Sequence, residues 1–444
     1  MVTRLIPPLF LKGAIVAFIT VALLIPISQV DDLVNARVEQ RGEATARVAE
    51  TWGGPQTTAG VLLAVPVDRT VTLSNGQQDT QRDTVYVLPD TLVVSANAAP
   101  DYRQVGLYRT PVYLANITVS GAFSPRDYTL LSPREGQAVR WKEARLLVLN
   151  SDSAALRAVE DFTIDGSPAE IGADGYAQYA GVSTSVPEGA LQKATGFPFQ
   201  LRLKIAGSSQ LQFLPLARKA DIDIQSTWSS RKFEGGPAPL STQADDKGFD
   251  AHWSVLDINR SFGQSWSGDV VRQGLQAGAA FEQSRVGVTF YEPVDVYQRV
   301  YRAVHYAILF IVITFLTFFL WEQVSGLAIH TLQYLMVGLA LAMFYLLLLA
   351  LSEHMGFDLA YAISAGALVT LMTIYLAGAL RSLARALGAG AGFATLYVML
   401  YWILRSEDYS LLMGALLLFG ILSVIMVTTR NVDWSRVGQP GGAG

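Results

Sequence analysis

Four histidines, 37 carboxylates and no cysteine set the chemistry open to this 444-residue chain. Without cysteine there is no disulfide framework, thiolate metal site, thiol nucleophile or lipidated cysteine anchor. Asp221 and Asp223 alternate with apolar residues in Asp221-Ile222-Asp223-Ile224-Gln225, so a strand would place them on one face. Paired carboxylates can hold Ca²⁺ or act as acid and base. The further oxygen ligands of a calcium loop are missing here and at Asp245-Asp246, and a solvated face is the simpler reading. A Ser/His/Asp triad would have to use His252, which lies between Phe249-Asp250-Ala251 and Trp253. No G-x-S-x-G elbow accompanies it, so it reads as a histidine on a strand face. Gly388-Ala389-Gly390-Ala391-Gly392 has a glycine spacing like that of a phosphate loop. No strand precedes it and no Lys-Ser/Thr follows, so small residues for close helix packing explain it better.

The other three histidines sit in apolar sequence. His305, Glu353, His354 and Asp358, with Glu407 and Asp408, fall near one surface of a set of hydrophobic segments. Such a cluster could bind Zn²⁺ or relay protons, and its first four members are the candidate metal ligands. Glu322 and His330 fall near the opposite surface. The middles of the segments are nearly free of charge, which leaves no relay across a membrane and favours plain interfacial placement.

These residues are held by two kinds of chain. From Ala303 to Gly444 only 11 of 142 residues are charged, about 8%, against 59 of 302 before them, about 20%. Overall, 33 basic and 37 acidic residues give a net charge of -4, and without a basic domain nucleic acid is not an expected partner. A span needs about 20 apolar residues. Six stretches qualify, near Leu9–Val30, Ala303–Trp321, Thr331–Leu351, Leu359–Leu380, Gly388–Leu404 and Tyr409–Thr429. The first follows Arg4 and Lys12, has a long uncharged run and is followed by no A-x-A-like site, so it reads as an uncleaved signal anchor. Arg4, Lys12, Arg381, Arg385, Arg430 and Arg436 then mark the cytoplasmic side. Both termini are expected inside, with 31–302 outside the cytoplasm.

That outer segment carries 26 basic and 31 acidic residues. Asp31–Thr51 has Val34, Val38 and Val48 near helical spacing and is expected to continue the first span as a stalk, ended by Gly53-Gly54-Pro55. The period then becomes two. Strands are expected at Gly60–Val67, Thr84–Leu88, Thr91–Ala96, Val112–Phe123, Val139–Leu149, Phe199–Ile205, Gln210–Leu214, Asp221–Trp228, Phe249–Val255 and Val286–Tyr291, and a short helix at Ser267–Phe281. Many short strands with turn signals point to one β-sandwich or two stacked ones. The Gly-rich end, Gly438–Gly444, reads as disordered.

One anchor, a large external β domain and five C-terminal spans, in that order, resemble the CreD family of inner-membrane proteins, described as cell envelope integrity proteins. The stretches that carry the likeness are Gly54-Pro55-Gln56 with Gly60–Val67, Arg103-Gln104-Val105-Gly106-Leu107-Tyr108-Arg109-Thr110-Pro111-Val112-Tyr113, Gly248-Phe249-Asp250-Ala251-His252-Trp253 and Asn259-Arg260-Ser261-Phe262-Gly263-Gln264-Ser265-Trp266. The longest runs from Gly287 to Arg299 and on into Phe315–Glu322. The sequence departs from the family pattern at Ser229-Ser230-Arg231-Lys232-Phe233, in place of a Pro-Ser-Phe-type motif, and at His305, in place of lysine. The resemblance implies a Gram-negative inner-membrane protein under two-component control, whose loss affects envelope integrity and tolerance to colicins or β-lactams. It brings no catalytic residues and no cofactor.

The expected architecture is therefore a polytopic α-helical membrane protein with six spans, one plus five, and a large sandwich-like periplasmic domain. Its parts are 1–30 (cytoplasmic end and anchor span), 31–302 (periplasmic), 303–429 (five-span helical domain) and 430–444 (cytoplasmic tail). No enzyme is expected: the periplasmic domain would contact envelope proteins or peptidoglycan-related components while the helices sit in lipid. The alternative is a transporter or membrane-embedded enzyme using His305, Glu353, His354 and Asp358.

Overall fold

A computed structural model of the chain describes residues 8–72, 77–129, 131, 137–176, 179–268, 281, 283–291, 296–325, 330–380, 382–406 and 410–430. The chain forms two compact units, Gly42–Pro293 and the pair Met1–Arg41 with Val294–Gly444. The strands are β1 (Gln56–Thr72), β2 (Gln78–Val87), β3 (Thr91–Val105), β4 (Tyr108–Phe123), β5 (Gln137–Val139), β6 (Arg145–Asn150), β7 (Leu156–Ile164), β8 (Ser167–Pro168), β9 (Gly172–Tyr176), β10 (Tyr179–Ser185), β11 (Phe197–Gly207), β12 (Gln210–Phe213), β13 (Lys219–Ser226), β14 (Arg231–Gly235), β15 (Ser241–Asp245), β16 (Gly248–Leu256), β17 (Ser265–Ser267) and β18 (Val286–Phe290). The helices are α1 (Pro8–Ala22), α2 (Leu24–Trp52), α3 (Pro125–Thr129), α4 (Glu188–Leu191), α5 (Val296–His305), α6 (Ala307–Ser325), α7 (Thr331–Met355), α8 (Phe357–Leu380), α9 (Leu383–Arg405) and α10 (Ser410–Thr429).

The β unit is one two-sheet sandwich. The first sheet runs β14-β18-β12-β1-β6-β10-β9, with β2 and β5 also on β1 and β17 on β2; the second runs β15-β16-β13-β3-β4-β11-β7-β8. Most neighbours are antiparallel, but β13 lies parallel to β3 and β12 parallel to β1. The main core lies between the sheets: Val61, Leu63 and Val65 of β1, Leu146 and Val148 of β6, and Val286 and Val288 of β18 pack with Leu92, Val94, Ile117, Leu201, Ile222, Ile224 and Trp253 of the second sheet. A smaller cluster covers the other side of the first sheet, where Leu62, Ala64, Leu147 and Leu149 meet Leu214, Leu216, Phe281, Phe262 and Trp266.

This difference in cover explains the sequence patterns. Strand β1 is buried on both faces, so Gly60–Val65 reads as an unbroken apolar run. Strands β3 and β11 are covered on one face only, so their residues alternate between exposed and buried. The expected strand Val139–Leu149 is two strands. A turn at Trp141–Glu143 separates β5 from β6, and Arg140 at the break donates through Nε to Asp68 Oδ2 at 2.7 Å. Strand β7 escaped detection because two register shifts and a left-handed Asp161 (φ 50°) spoil its alternation. The helix expected at Ser267–Phe281 falls mostly on residues outside those described, as do Gly438–Gly444.

Helix α2 extends beyond the first span and ends at Gly53, whose φ of 126° only glycine adopts without strain and whose Cβ would stand 2.6 Å from the Ala206 carbonyl oxygen. Val30, Val34, Ala44 and Val48 are buried along it, but Val38 is exposed. Val30 and Val48 are five turns apart on one line, whereas Val38 lies about 80° away from it. Between α1 and α2 the helix loosens at Leu23, because Pro26 has no N–H to give the Ala22 carbonyl.

In the helical unit five helical stretches among the described residues are long and apolar enough to cross a membrane: Leu11–Trp52, Val296–Phe319, Thr331–Met355, Phe357–Ala379 and Leu383–Arg405. The shorter apolar stretch Leu412–Ser423 lies within α10. Together they give one N-terminal and five C-terminal apolar helices, the architecture of a polytopic membrane protein. The first span packs on the C-terminal set at Gly338 of α7, where an added Cβ would stand 2.1 Å from Leu23 Cδ1 and 2.9 Å from Phe315 Cζ.

Candidate functional site

Two places collect the residues with chemistry to offer. The first is the open face of the second sheet. Cross-strand partners share a face. Ser241, His252, Asp223 and Ser95 therefore form one row across β15, β16, β13 and β3, and Gln243, Asp250, Gln225 and Asn97 form the next. His252 Nδ1 and Asp223 Oδ1 are 2.7 Å apart, Ser254 Oγ donates to Asp221 Oδ1 at 2.6 Å, and Gln225 Nε2 donates to Asp250 Oδ2 at 2.7 Å. Lys219 Nζ lies 3.0 Å from Asp221 Oδ2. Partial burial pushes the Asp221 carboxyl up, but the Ser254 hydroxyl and the Lys219 ammonium outweigh it and hold the group below the usual carboxylate range. The Asp223 and His252 side chains are 40% and 30% exposed, so water reaches the row. Electrostatic catalysis draws its strength from excluding water, and this face does not exclude it. Asp245 closes the β15–β16 turn, accepting the Lys247 N–H at 2.7 Å.

A second charged network of the sandwich centres on Arg218. Arg218 donates through Nε to Asp90 at 2.7 Å, through Nη1 to Asp257 at 3.3 Å and through Nη2 to Asp127 of α3. Asp127 is buried, and the loss of hydration raises its carboxyl despite the guanidinium. This geometry ties three segments to Arg218.

The second place is the end of the helical unit where His305, Glu353, His354 and Asp358 lie. The structure gives these four separate partners. Glu353 Oε1 is 3.0 Å from Arg37 Nε of α2 and accepts from Tyr297 Oη at 3.5 Å. Asp358 accepts from Tyr401 Oη at 3.1 Å and faces Arg299 at 3.7 Å. His305 Nδ1 lies 3.0 Å from the Tyr301 carbonyl and 3.9 Å from Asp31 Oδ1, and exposed His354 turns Nδ1 to the Ala350 carbonyl at 3.2 Å. Among the described residues no three His, Asp or Glu side chains are grouped to hold a metal ion. Glu407 and Asp408 lie outside the described residues. Arginines organise this end instead: Arg302 Nη2 donates to the Leu404 carbonyl at 2.9 Å, and Arg405 Nη1 to Tyr401 Oη at 3.3 Å. Sequence reading missed Arg37, Arg299 and Arg302 as partners, although arginines close to span ends that also carry Glu or Asp were a visible signal.

At the opposite end Lys12 and Tyr334 both reach Glu322, and His330 caps α7 by accepting the Leu332 N–H at 3.2 Å. The glycine run Gly388–Gly392 lies inside α9, one turn into the helix. Gly390 is the close contact, with a Cβ there 2.2 Å from Thr373 Oγ1 of α8; Gly388 and Gly392 face open space.

Comparison with known proteins places this arrangement. Residues 8–435 match the family described as inner membrane protein CreD. The chain belongs to the CreD family. Inner membrane protein CreD of Escherichia coli (strain K12) is similar at 29% identity over 441 residues, covering 98% of this chain and 95% of that one. CreD membership and the six apolar helices make it a multi-pass inner-membrane protein in contact with the lipid bilayer. Among solved structures, a mutant M1 zinc metallopeptidase from Deinococcus radiodurans bound to a tripeptide substrate matches 38% of this chain and 39% of its own, at 10% identity and a TM-score of 0.21, too slight a likeness to show a common fold.

Proposed function

We propose that this CreD-family protein supports cell envelope integrity, of the kind read as tolerance to colicins or β-lactams, without being an enzyme. Its sandwich works in the periplasm as a docking face for envelope proteins or peptidoglycan-related components, and both chain ends lie in the cytoplasm. The observation that carries this reading is the second sheet's open face. There Asp221, Asp223, Asp250 and His252 are each matched to a neighbour across the strands, and exposed Ser95, Asn97, Asn116 and Gln200 offer hydrogen bonds over a broad surface. The basic residues near the span ends support the orientation.

The test is complementation of a host lacking the protein, scored for colicin and β-lactam tolerance. His252→Ala, which removes one group from a broad docking face, is expected to retain most of the tolerance at normal protein levels. Photo-crosslinking from Asn97 or Asn116 in cells is expected to attach an envelope component. Turnover of peptidoglycan or a lipid precursor by the purified full chain, abolished by His252→Ala, would overturn the non-enzymatic reading. Protease cleavage of a tag at Gly444 from the periplasmic side of spheroplasts would overturn the orientation.

A further inference from the structure

In the helical unit a cavity of about 440 Å³ lies between α6 and α9, lined by Thr314, Thr317 and Phe318 of one helix and by Arg385, Gly388, Gly392, Phe393 and Leu396, among others, of the second. Its floor is open because Gly388 and Gly392 have no side chain and nothing within 4 Å of where a Cβ would be. Phe318 and Phe393, 6.0 Å apart and edge to face, wall it. Arg385 stands in the first turn of α9 at one end of the groove, exposed, and no carboxylate pairs with it among the described residues. Across α8 and α9, from Leu359 to Ser406, there are three arginines and no acidic residue, and Glu322 of α6 is engaged by Lys12 and Tyr334.

The dimensions fit one class of occupant. From Arg385 to Leu396 the helix rises about 16 Å, close to the roughly 15 Å hydrocarbon depth of one leaflet. A cation at headgroup level above an apolar slot one acyl chain long is complementary to a phosphate carried on a fatty chain. We infer that the α6–α9 groove binds an anionic phospholipid, with its phosphate on Arg385 and one acyl chain along Gly388, Gly392 and Leu396. The groove of about 480 Å³ between α8 and α9 makes the contrast. There the charged lining residue is Asp358, whose own negative charge opposes an anionic headgroup.

The experiment is native mass spectrometry of the full chain in mild detergent, titrated with phosphatidylglycerol or phosphatidylethanolamine. The wild type is expected to retain phosphatidylglycerol about fivefold better, the preference one basic residue at a membrane surface supplies. Arg385→Gln is expected to bring the ratio to about one, Arg385→Lys to keep most of it, and Gly392→Leu to lower retention of both lipids by filling the slot. Arg405→Gln, at the far end of α9, is expected to leave the preference intact. Equal retention of the two lipids by the wild type, survival of the preference in Arg385→Gln, or its loss in Arg405→Gln would overturn the inference.

Discussion

Arg37 Nε and Glu353 Oε1 stand 3.0 Å apart, and the pair ties the first span's helix to α7 across more than 300 residues of sequence. The Glu353 side chain is only 9% exposed and that of Arg37 33%. Burial strips hydration from the Glu353 carboxylate, and the guanidinium offsets that cost.

Removing Arg37 therefore leaves a poorly hydrated charge. Arg37→Ala is expected to destabilise the detergent-solubilised protein by roughly 1–3 kcal/mol, discounted for the arginine's exposure. Arg37→Met with Glu353→Leu is expected to recover most of the loss. A double-mutant cycle on thermal unfolding checks this; a coupling near zero would show that the pair contributes nothing.

Gly338 sets how closely the first span approaches α7. A leucine at this position would drive into Leu23 and Phe315, so Gly338→Leu is expected to cost roughly 1–3 kcal/mol and to loosen α1 from α7. Disulfide trapping between cysteines placed at Leu23 and Gly338 of an otherwise unaltered chain, which has no cysteine of its own, reports the contact directly. Failure to crosslink under oxidation would contradict it.

In the sandwich, Arg218→Ala strands Asp127, which is 1% exposed, without its cation. The expected loss is roughly 2–4 kcal/mol, seen as earlier tryptophan-fluorescence unfolding in denaturant. Arg218→Ala with Asp127→Asn is expected to be milder than Arg218→Ala alone, because the buried charge is gone.

Acid weakens the open sheet face in a defined direction. The folded Asp221 carboxyl titrates below its unfolded value, so its contribution is fully present above the unfolded value of about 4 and is lost as pH falls through the folded one. Asp221→Asn is expected to flatten the acid side of the melting-temperature profile below about pH 4 and to leave its shape near neutrality unchanged. An identical acid slope in wild type and variant would contradict this.

By itself the sequence determined the two solvents, the six apolar helices, the alternation of β3, β11 and β13, and the family, because each is written in composition, local period or long motifs. The unbroken run Gly60–Val67 could be recognised as a buried strand, but which layers cover its two faces became visible only with β1 held between the core and the Phe262–Phe281 layer. The acidic and histidine residues at the span ends were equally legible, yet the same Glu353 or Asp358 reads alike whether it faces a metal or an arginine. Tertiary structure decided that Arg37 meets Glu353, Tyr401 meets Asp358 and Arg218 meets Asp127. Such pairs are fixed by packing between segments far apart in the chain, and no local period records them.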